Sequence, residues 1–148
     1  MTTAAPQGLL DTSTVILLGR ISTNAELPDE AMISAITLAE LSVGPLIAPS
    51  EEERAARQAH LQQAESDFEP LPFDAAAARA FGRVAASLRT AGRKPTARAY
   101  DALIAATAIA NQLPLFTCNP SDFVGIPELT VVAIPHPDHL SQNGFETG

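Results

Sequence analysis

The chain has 148 residues, of which 46% are hydrophobic, and this length and apolar content suit one domain with one core. No apolar run reaches the roughly 18 residues that a membrane-spanning helix needs, and no signal peptide is recognisable, so we expect a cytoplasmic protein without a membrane segment. The formal charge of −8 excludes a simple nucleic-acid binder that relies on surplus Lys and Arg, and the single cysteine, Cys118, excludes an internal disulfide.

The first part of the chain predicts two strands, each followed by a helix, and then a third helix. The apolar run at residues 8–10 fits a strand that turns into a helix. The run at residues 32–36 predicts a second strand, with a helix that begins near Thr37. The acidic triplet at residues 51–53 suits the positive end of a third helix, which should reach about Phe68.

The second part predicts two more helices and two more strands. Asp74 is a candidate N-cap for an alanine-rich helix to about Thr90, and a further helix should cover residues 97–112. Apolar runs predict strands at residues 114–117 and 129–134. Because nearly continuous apolar strands alternate with helices, the pattern indicates an α/β fold with a mostly parallel central sheet and helices on both faces.

Four acidic residues fall where such a fold would bring them together. Asp11 follows the first strand and Asp122 follows the third. Glu40 and Asp101 are each expected in the first turn of a helix. Sites in open α/β sheets form at the carboxyl ends of the strands, so we expect the four carboxylates to converge there. Their mutual repulsion would be relieved by Mg²⁺, which prefers oxygen ligands and supports phosphodiester cleavage.

Four short segments stand out by their order and spacing: LLDTS at residues 9–13, TLAEL at 37–41, DALIAATA at 101–108 and TCNPSDF at 117–123. Together they resemble the PIN-domain family, and within it the VapC-type toxins of toxin–antitoxin pairs. The resemblance extends to about Ile134. It therefore implies a PIN domain over residues 1–134, followed by a polar tail over residues 135–148 that we expect to be loose.

The resemblance implies an endoribonuclease that uses Mg²⁺ or Mn²⁺ to cleave RNA and that a cognate VapB-type antitoxin holds inactive. It also implies a homodimer. The implied metal ligands and catalytic residues are Asp11, Glu40, Asp101 and Asp122. Asn119 stands where some family members carry an acid, and its amide adds no charge. Thr12 and Ser13 match small hydroxyl positions beside the first aspartate, where they would either bond water at the metal or cap the next helix.

Each acid also has a purely structural interpretation. Thr37 and Glu40 have the spacing of a capping box, in which two side chains satisfy the N-terminal donors of a helix. Asp101 and Asp122 have the placement of first-turn acids that favour a helix dipole. Asp11 is harder to explain in this way, because an acid directly after an apolar strand is a poor packing choice.

Two other functions stay open at this point. One is a catalytically idle PIN fold that serves as an interaction module. The other is a phosphoacceptor signalling domain, which also gathers acids and Mg²⁺ on a parallel sheet. That class needs a second acid near the first strand and a lysine after a late strand, whereas Asp11 stands alone and Lys94, the only lysine, falls in a predicted loop.

Six of the nine basic residues lie between residues 79 and 98. At about 100° per residue, four of them fall within an arc of roughly 120° on one helical face. This arginine stripe consists of Arg79, Arg83, Arg89 and Arg93. It predicts a phosphate track for RNA, a contact for an acidic segment of the antitoxin, or simply a solubilising surface.

Overall fold

The structure is a computed structural model, and it describes residues 6–22, 25–94 and 98–138. The described strands are β1 (Gln7–Leu10), β2 (Glu30–Met32), β3 (Leu115–Thr117) and β4 (Val131–Ala133). The described α-helices are α1 (Thr12–Leu17), α2 (Ala35–Val43), α3 (Glu51–Asp67), α4 (Ala75–Thr90) and α5 (Ala99–Ala110). None of the helices in these parts of the chain is both long and apolar enough to cross a membrane.

The four strands form one sheet in the order β2-β1-β3-β4, and every pair is parallel. In the register, Leu9 of β1 lies opposite Met32 of β2 on one side and Leu115 of β3 on the other. Because all the strands run the same way, their carboxyl ends meet at one edge of the sheet. The predicted α/β fold with a parallel sheet is confirmed.

Helices pack on both faces of the sheet. Neighbouring residues of β1 point to opposite faces, so each of them contacts a different layer of helices. Leu9 belongs to a buried cluster with Val84 of α4 and Ile104 of α5. Leu10 belongs to a second cluster, on the other face, with Leu41 of α2 and Ala64 of α3. The sheet is thus fixed between two apolar layers, and its carboxyl edge is where polar side chains collect.

Several predicted helix ends are confirmed by their capping contacts. The Asp74 side chain accepts a hydrogen bond from the backbone N–H of Ala77 at 3.0 Å and so caps α4. Ser50 caps α3 through the backbone N–H of Glu53 at 3.1 Å. After α4 the chain turns at Gly92, whose φ of 78° is a conformation that glycine adopts without strain.

The second strand and the helix after it begin earlier than predicted. The strand is Glu30–Met32 rather than residues 32–36, because the backbone of Ile33 bonds instead to Leu71, whose N–H donates to its carbonyl at 2.9 Å. Ser34 then caps α2 by accepting the N–H of Thr37 at 3.1 Å. The capping box of Thr37 and Glu40 is therefore wrong, and Glu40 lies in the second turn of α2 rather than in its first.

Two later boundaries also differ. The last strand is Val131–Ala133 rather than residues 129–134, because the N–H of Leu129 closes a turn onto the carbonyl of Ile126 at 3.1 Å. The helix predicted over residues 97–112 ends at Ala110, since Gln112 takes a φ of 56° that the helix cannot continue.

Parts of the predictions fall outside the described residues. The predicted helix start at Ala97 is among them, and so are residues 1–5 and most of the predicted tail, of which only residues 135–138 are described. The domain limits at residues 134 and 135 therefore stay predictions.

Candidate metal centre

Asp11 directly follows β1 and caps α1 at the carboxyl edge of the sheet. Its side chain is only 3% exposed and accepts hydrogen bonds from the Thr14 N–H at 3.3 Å and from three hydroxyl groups. The hydroxyl donors are Thr14, Ser13 at 3.2 Å and Thr117 at 2.9 Å. Burial raises the pKa of Asp11, and these hydrogen bonds oppose the rise. The chain thus fixes a carboxylate in a buried position and holds it there with donors from two elements, α1 and β3.

Thr12 and Ser13 lie in the first turn of α1, and neither caps it, because the residue before them does. The Thr12 hydroxyl donates to Glu40 Oε1 at 2.6 Å and lies 3.0 Å from the hydroxyl of Thr37. The Ser13 hydroxyl accepts from Asn119 Nδ2 at 2.9 Å. These side chains connect the first turn of α1 to α2 and to the segment after β3. All three of the predicted supporting residues therefore lie beside the acids.

Glu40 faces α1 from the second turn of α2 and is half-buried. Burial raises its pKa, the hydrogen bond from Thr12 lowers it, and the carboxylate of Asp11 raises it further. Glu40 does not cap α2, because Ser34 does so and Glu40 lies one turn further along the helix. Its place is within the group of acids predicted from the sequence.

Asp101 and Asp122 reach the same edge from the other side. Asp101 lies in the first turn of α5, and Asp122 lies in the 3₁₀ turn that follows β3. Arg98 links them, because its Nη1 lies 2.8 Å from Asp122 Oδ1 and 3.7 Å from Asp101 Oδ2. Both acids keep the first-turn placement that the sequence predicted.

The pKa of Asp101 is affected by each of the other three acids. Burial raises the pKa of Asp101 to about 6, together with the carboxylates of Asp122, Asp11 and Glu40 in that order, while Arg98 opposes the rise. All three of the other acids therefore act on this one carboxyl group. The structure brings together the four residues that the sequence predicted, and their roles stay predictions.

The donor chemistry of this edge fits a hydrated divalent cation. The four acids and the hydroxyl groups beside them are all oxygen donors, the type that Mg²⁺ and Mn²⁺ prefer. Within the described residues, no group of three or more His, Cys, Asp or Glu side chains is placed so that all of them could hold one metal ion. Mg²⁺ usually keeps several waters and takes only one or two carboxylates directly, so an open arrangement suits it.

Sequence reasoning missed three residues of this edge. Thr14 is fully buried and bridges Asp11 to the backbone N–H of Cys118, which donates to its hydroxyl at 3.0 Å. Thr117 ends β3 and bonds Asp11 from there. Arg98 was counted only as part of the basic span. Two signals for these contacts were present in the sequence. Thr14 lies three residues after Asp11, and Asp101 lies three residues after Arg98.

The arginine stripe is only partly confirmed in position. Three of its members lie exposed on α4: Arg79, Arg83 and Arg89. Among these, Arg83 pairs with Glu128 at 2.9 Å. The predicted place of Arg93 on the stripe is wrong, because α4 ends at Thr90 and the turn that follows takes Arg93 off the helical face. Its guanidinium donates instead to the carbonyl of Val124 at 2.7 Å.

A cavity of about 240 Å³ joins basic and acidic residues beside the candidate centre. Its charged lining residues are Arg93, Lys94, Arg98, Asp101 and Asp122. Positive charge near the acids therefore comes mainly from the segment between α4 and α5, rather than from the face of α4 alone.

The raised pKa of Asp101 predicts how the metal-free protein responds to pH. The carboxyl ionises near 3.8 ordinarily and near 6 in the folded chain, so folding takes up a proton between these values. The protonated carboxyl of Asp101 therefore stabilises the folded chain fully below pH 3.8. This stabilisation is lost as the pH rises through the folded-state pKa of about 6. At pH 7.5, Asp101→Asn should raise the free energy of unfolding by about 1 kcal/mol, a figure reduced for partial exposure of the group.

Urea unfolding in the presence of EDTA measures this effect. The gain from Asp101→Asn should be clearly smaller at about pH 4.5 than at pH 7.5. A gain that is the same at both pH values would show that ionisation of Asp101 is not its cause.

Comparison with known proteins places the chain in a family. A profile of the PIN domain family matches residues 9–128. Ribonuclease VapC5 of Mycobacterium tuberculosis is 40% identical over 119 residues, which are 79% of this chain and 86% of the relative. Ribonuclease VapC of Rickettsia bellii is 36% identical over 133 residues, which are 88% of this chain and 98% of the relative.

Solved structures agree with these sequence relatives. The crystal structure of VapBC-5, a toxin–antitoxin system of M. tuberculosis, matches with a TM-score of 0.72 at 32% identity, over 87% of this chain and 99% of the other. VapBC2 of Rickettsia felis, bound to a promoter DNA fragment, matches with a TM-score of 0.66 at 26% identity, over 86% and 98%. This chain therefore belongs to the PIN domain family, in which its relatives are VapC ribonucleases.

Proposed function

We propose that this chain is a cytoplasmic, Mg²⁺-dependent endoribonuclease that acts as the toxin of a toxin–antitoxin pair and hydrolyses phosphodiester bonds in RNA. The observation that carries the proposal is the placement of four acids at the carboxyl edge of the parallel sheet, where Thr12 bonds Glu40 next to Asp11 and Arg98 joins Asp101 to Asp122. Relatives named as VapC ribonucleases, at 36–40% identity, support RNA as the substrate.

The acids that would hold Mg²⁺, or Mn²⁺ in its place, are Asp11, Glu40, Asp101 and Asp122. When bound, the cation would polarise a phosphate oxygen and lower the pKa of water, which are the two effects that phosphodiester hydrolysis needs. Asn119 contributes no charge, and its amide holds Ser13 through the hydrogen bond of 2.9 Å.

The surrounding hydroxyl groups would prepare the ligands for this task. Asp11 is held by donors from Ser13, Thr14 and Thr117, so its carboxylate does not need to reorganise when a cation arrives. Glu40 is held in the same way by Thr12. Partners that orient metal ligands typically contribute 10- to 100-fold in affinity or activity, so these residues are part of the proposed machinery.

RNA binding needs local positive charge, because the chain as a whole carries a formal charge of −8. Lys94 and Arg98 line the cavity next to the acids, and Arg79 and Arg89 extend the basic surface along α4. We propose that this surface guides the RNA backbone toward the acids.

The α4 part of this proposal predicts a change in salt dependence. Arg79→Gln or Arg89→Gln should weaken binding of single-stranded RNA, and each should reduce the slope of log affinity against log salt by about 0.7. Binding is measured with Ca²⁺ in place of Mg²⁺, on RNA shown by gel to stay intact. Arg54→Gln on α3 removes the same charge elsewhere and serves as the control.

An unchanged slope for both α4 variants would reject the RNA track on this helix. If antitoxin binding weakened instead, the surface would serve the partner protein. If neither changed, these arginines would be ordinary solubilising residues.

A protein partner is supported by both the comparisons and the surface. The related solved structures include VapBC toxin–antitoxin complexes, so we propose a cognate VapB-type antitoxin and a homodimer for this chain as well. Three apolar side chains are exposed together at the end of α2 and in the turn after it: Val43 at 47%, Leu46 at 85% and Ile47 at 68%. Exposed apolar patches of this kind commonly mark protein interfaces.

The proposed function is tested by incubating the purified chain with RNA in EDTA and then adding Mg²⁺. We expect internal cuts that appear only with the cation. Antitoxin binding without any metal-dependent cleavage would favour the alternative of an idle interaction module. Membership of the PIN family already argues against the phosphoacceptor alternative.

A further inference from the structure

Both ion pairs of the acid cluster in the described chain are made by Arg98. Its Nη1 lies 2.8 Å from Asp122 Oδ1 and 3.7 Å from Asp101 Oδ2. One nitrogen of the guanidinium therefore lies between two carboxylates that come from different elements, α5 and the turn after β3. These two carboxylates are among the four that are proposed to hold a cation at this edge.

The position of Arg98 in the fold does not explain this contact. Arg98 is the N-cap residue of α5, yet its side chain makes no capping hydrogen bond. The side chain is half exposed, so it is not retained by packing in the core. The ion pairs with Asp122 and Asp101 are thus the contacts that the described structure shows for the Arg98 guanidinium.

The other basic residues of the cavity are placed differently. Arg93 donates to the carbonyl of Val124 at 2.7 Å. Lys94 lines the cavity and makes no ion pair with either acid among the described residues. Arg98 therefore differs from Arg93 and Lys94 in its contacts, although all three side chains carry the same charge.

Close carboxylates repel one another, and the repulsion is relieved by a positive charge between them. A guanidinium supplies that charge at every working pH, because it is not deprotonated in proteins. A divalent cation supplies more charge at the same place. The two cations would compete for Asp122 and Asp101, since two positive charges held close to the same carboxylates repel each other.

We propose that Arg98 is a positioning residue that acts as the built-in counter-ion of the metal centre. It neutralises Asp122 and Asp101 while no metal is bound, and it gives up these carboxylates when a divalent cation binds. The proposal rests on the proposed function only for the binding of a cation at these acids, and not for RNA cleavage. Its consequence is that Arg98 weakens metal binding and stabilises the metal-free protein.

The first test is the Mn²⁺ affinity of the full chain, measured by electron paramagnetic resonance. Arg98→Gln should tighten binding by about five-fold. This change corresponds to the loss of the attraction between two unit charges about 4 Å apart in a water-like medium, which the cation otherwise has to overcome. Arg98→Lys keeps the charge and should stay within about two-fold of the parent. Lys94→Gln removes a charge from the same cavity without breaking an ion pair and should also change little.

The second test is thermal unfolding. Arg98→Gln should lower the Tm of the metal-free protein by about 2–4 °C, and the loss should disappear at saturating Mn²⁺. A merely structural role at the start of α5 would instead lower the Tm equally with and without the cation.

The outcomes separate this proposal from the proposed function. Mn²⁺ binding that is unchanged or weaker in Arg98→Gln, or a Tm loss that persists at saturating Mn²⁺, would overturn the role of Arg98 alone. A parent chain that binds no Mn²⁺ would overturn the metal centre, and the role of Arg98 with it.

Discussion

We expect Asp11→Asn to reduce RNA cleavage by at least about 100-fold and to leave the fold intact. The amide oxygen can still accept the N–H of Thr14, so α1 keeps its cap. What is lost is a negative charge in a buried position, which is the property that a cation requires. Without metal, the variant should be at least as stable as the parent, because burial disfavours the charged form of Asp11.

A matched control is available in Asp74→Asn. Asp74 caps α4 by the same kind of contact, with the N–H of Ala77 at 3.0 Å, but it lies outside the acid cluster. This variant should cleave RNA like the parent. Equal cleavage by Asp11→Asn and the parent across a Mg²⁺ titration would remove Asp11 from the site.

Glu40→Gln should also reduce cleavage by at least about 100-fold, with a change in stability within about 0.5 kcal/mol. Glutamine can still accept the hydroxyl of Thr12, and no cap is lost because Ser34 caps α2. The variant therefore removes charge with little other change. Cleavage across a Mg²⁺ titration and urea unfolding of the same samples measure the two effects.

Glu65→Gln makes the same chemical change at an exposed position of α3 and should have no effect on cleavage. If Glu40→Gln keeps full activity, the site has three acids, and Glu40 serves to hold Thr12. If Glu40→Gln loses stability as well as activity, misfolding would account for the loss.

The placement of three acids could be predicted because their signals are local. Asp11 directly follows an apolar strand, and Asp101 and Asp122 each lie in the first turn of an element. Parallel strands then bring these positions to one edge, whatever the exact boundaries are. Local pattern and general topology were enough.

The surroundings of Glu40 could not be predicted, because they depend on a contact that is distant in sequence. Because the backbone of Ile33 bonds to Leu71, β2 ends at Met32, and Ser34 rather than Thr37 is the N-cap of α2. The apolar pattern of residues 32–36 contains no sign of that pairing. A capping box therefore looked plausible where none exists.

The same reason applies to the basic residues. Helical phase placed Arg93 on the stripe, although the turn at Gly92 takes it off the helix. The pairing of Arg98 with Asp122 joins residues 24 positions apart, and their approach is set by how α5 and β3 pack. Contacts of this kind follow from the assembled fold and not from a local pattern.

The central claim is that four acids from separate elements form one divalent metal centre. A crystal soaked in Mn²⁺ tests it most directly, because the anomalous signal locates the cation without reference to activity. We predict one peak at the carboxyl edge of the sheet, at bonding distance from carboxylates among Asp11, Glu40, Asp101 and Asp122. No peak there at saturating Mn²⁺, or a fully occupied site elsewhere on the chain, would contradict the account.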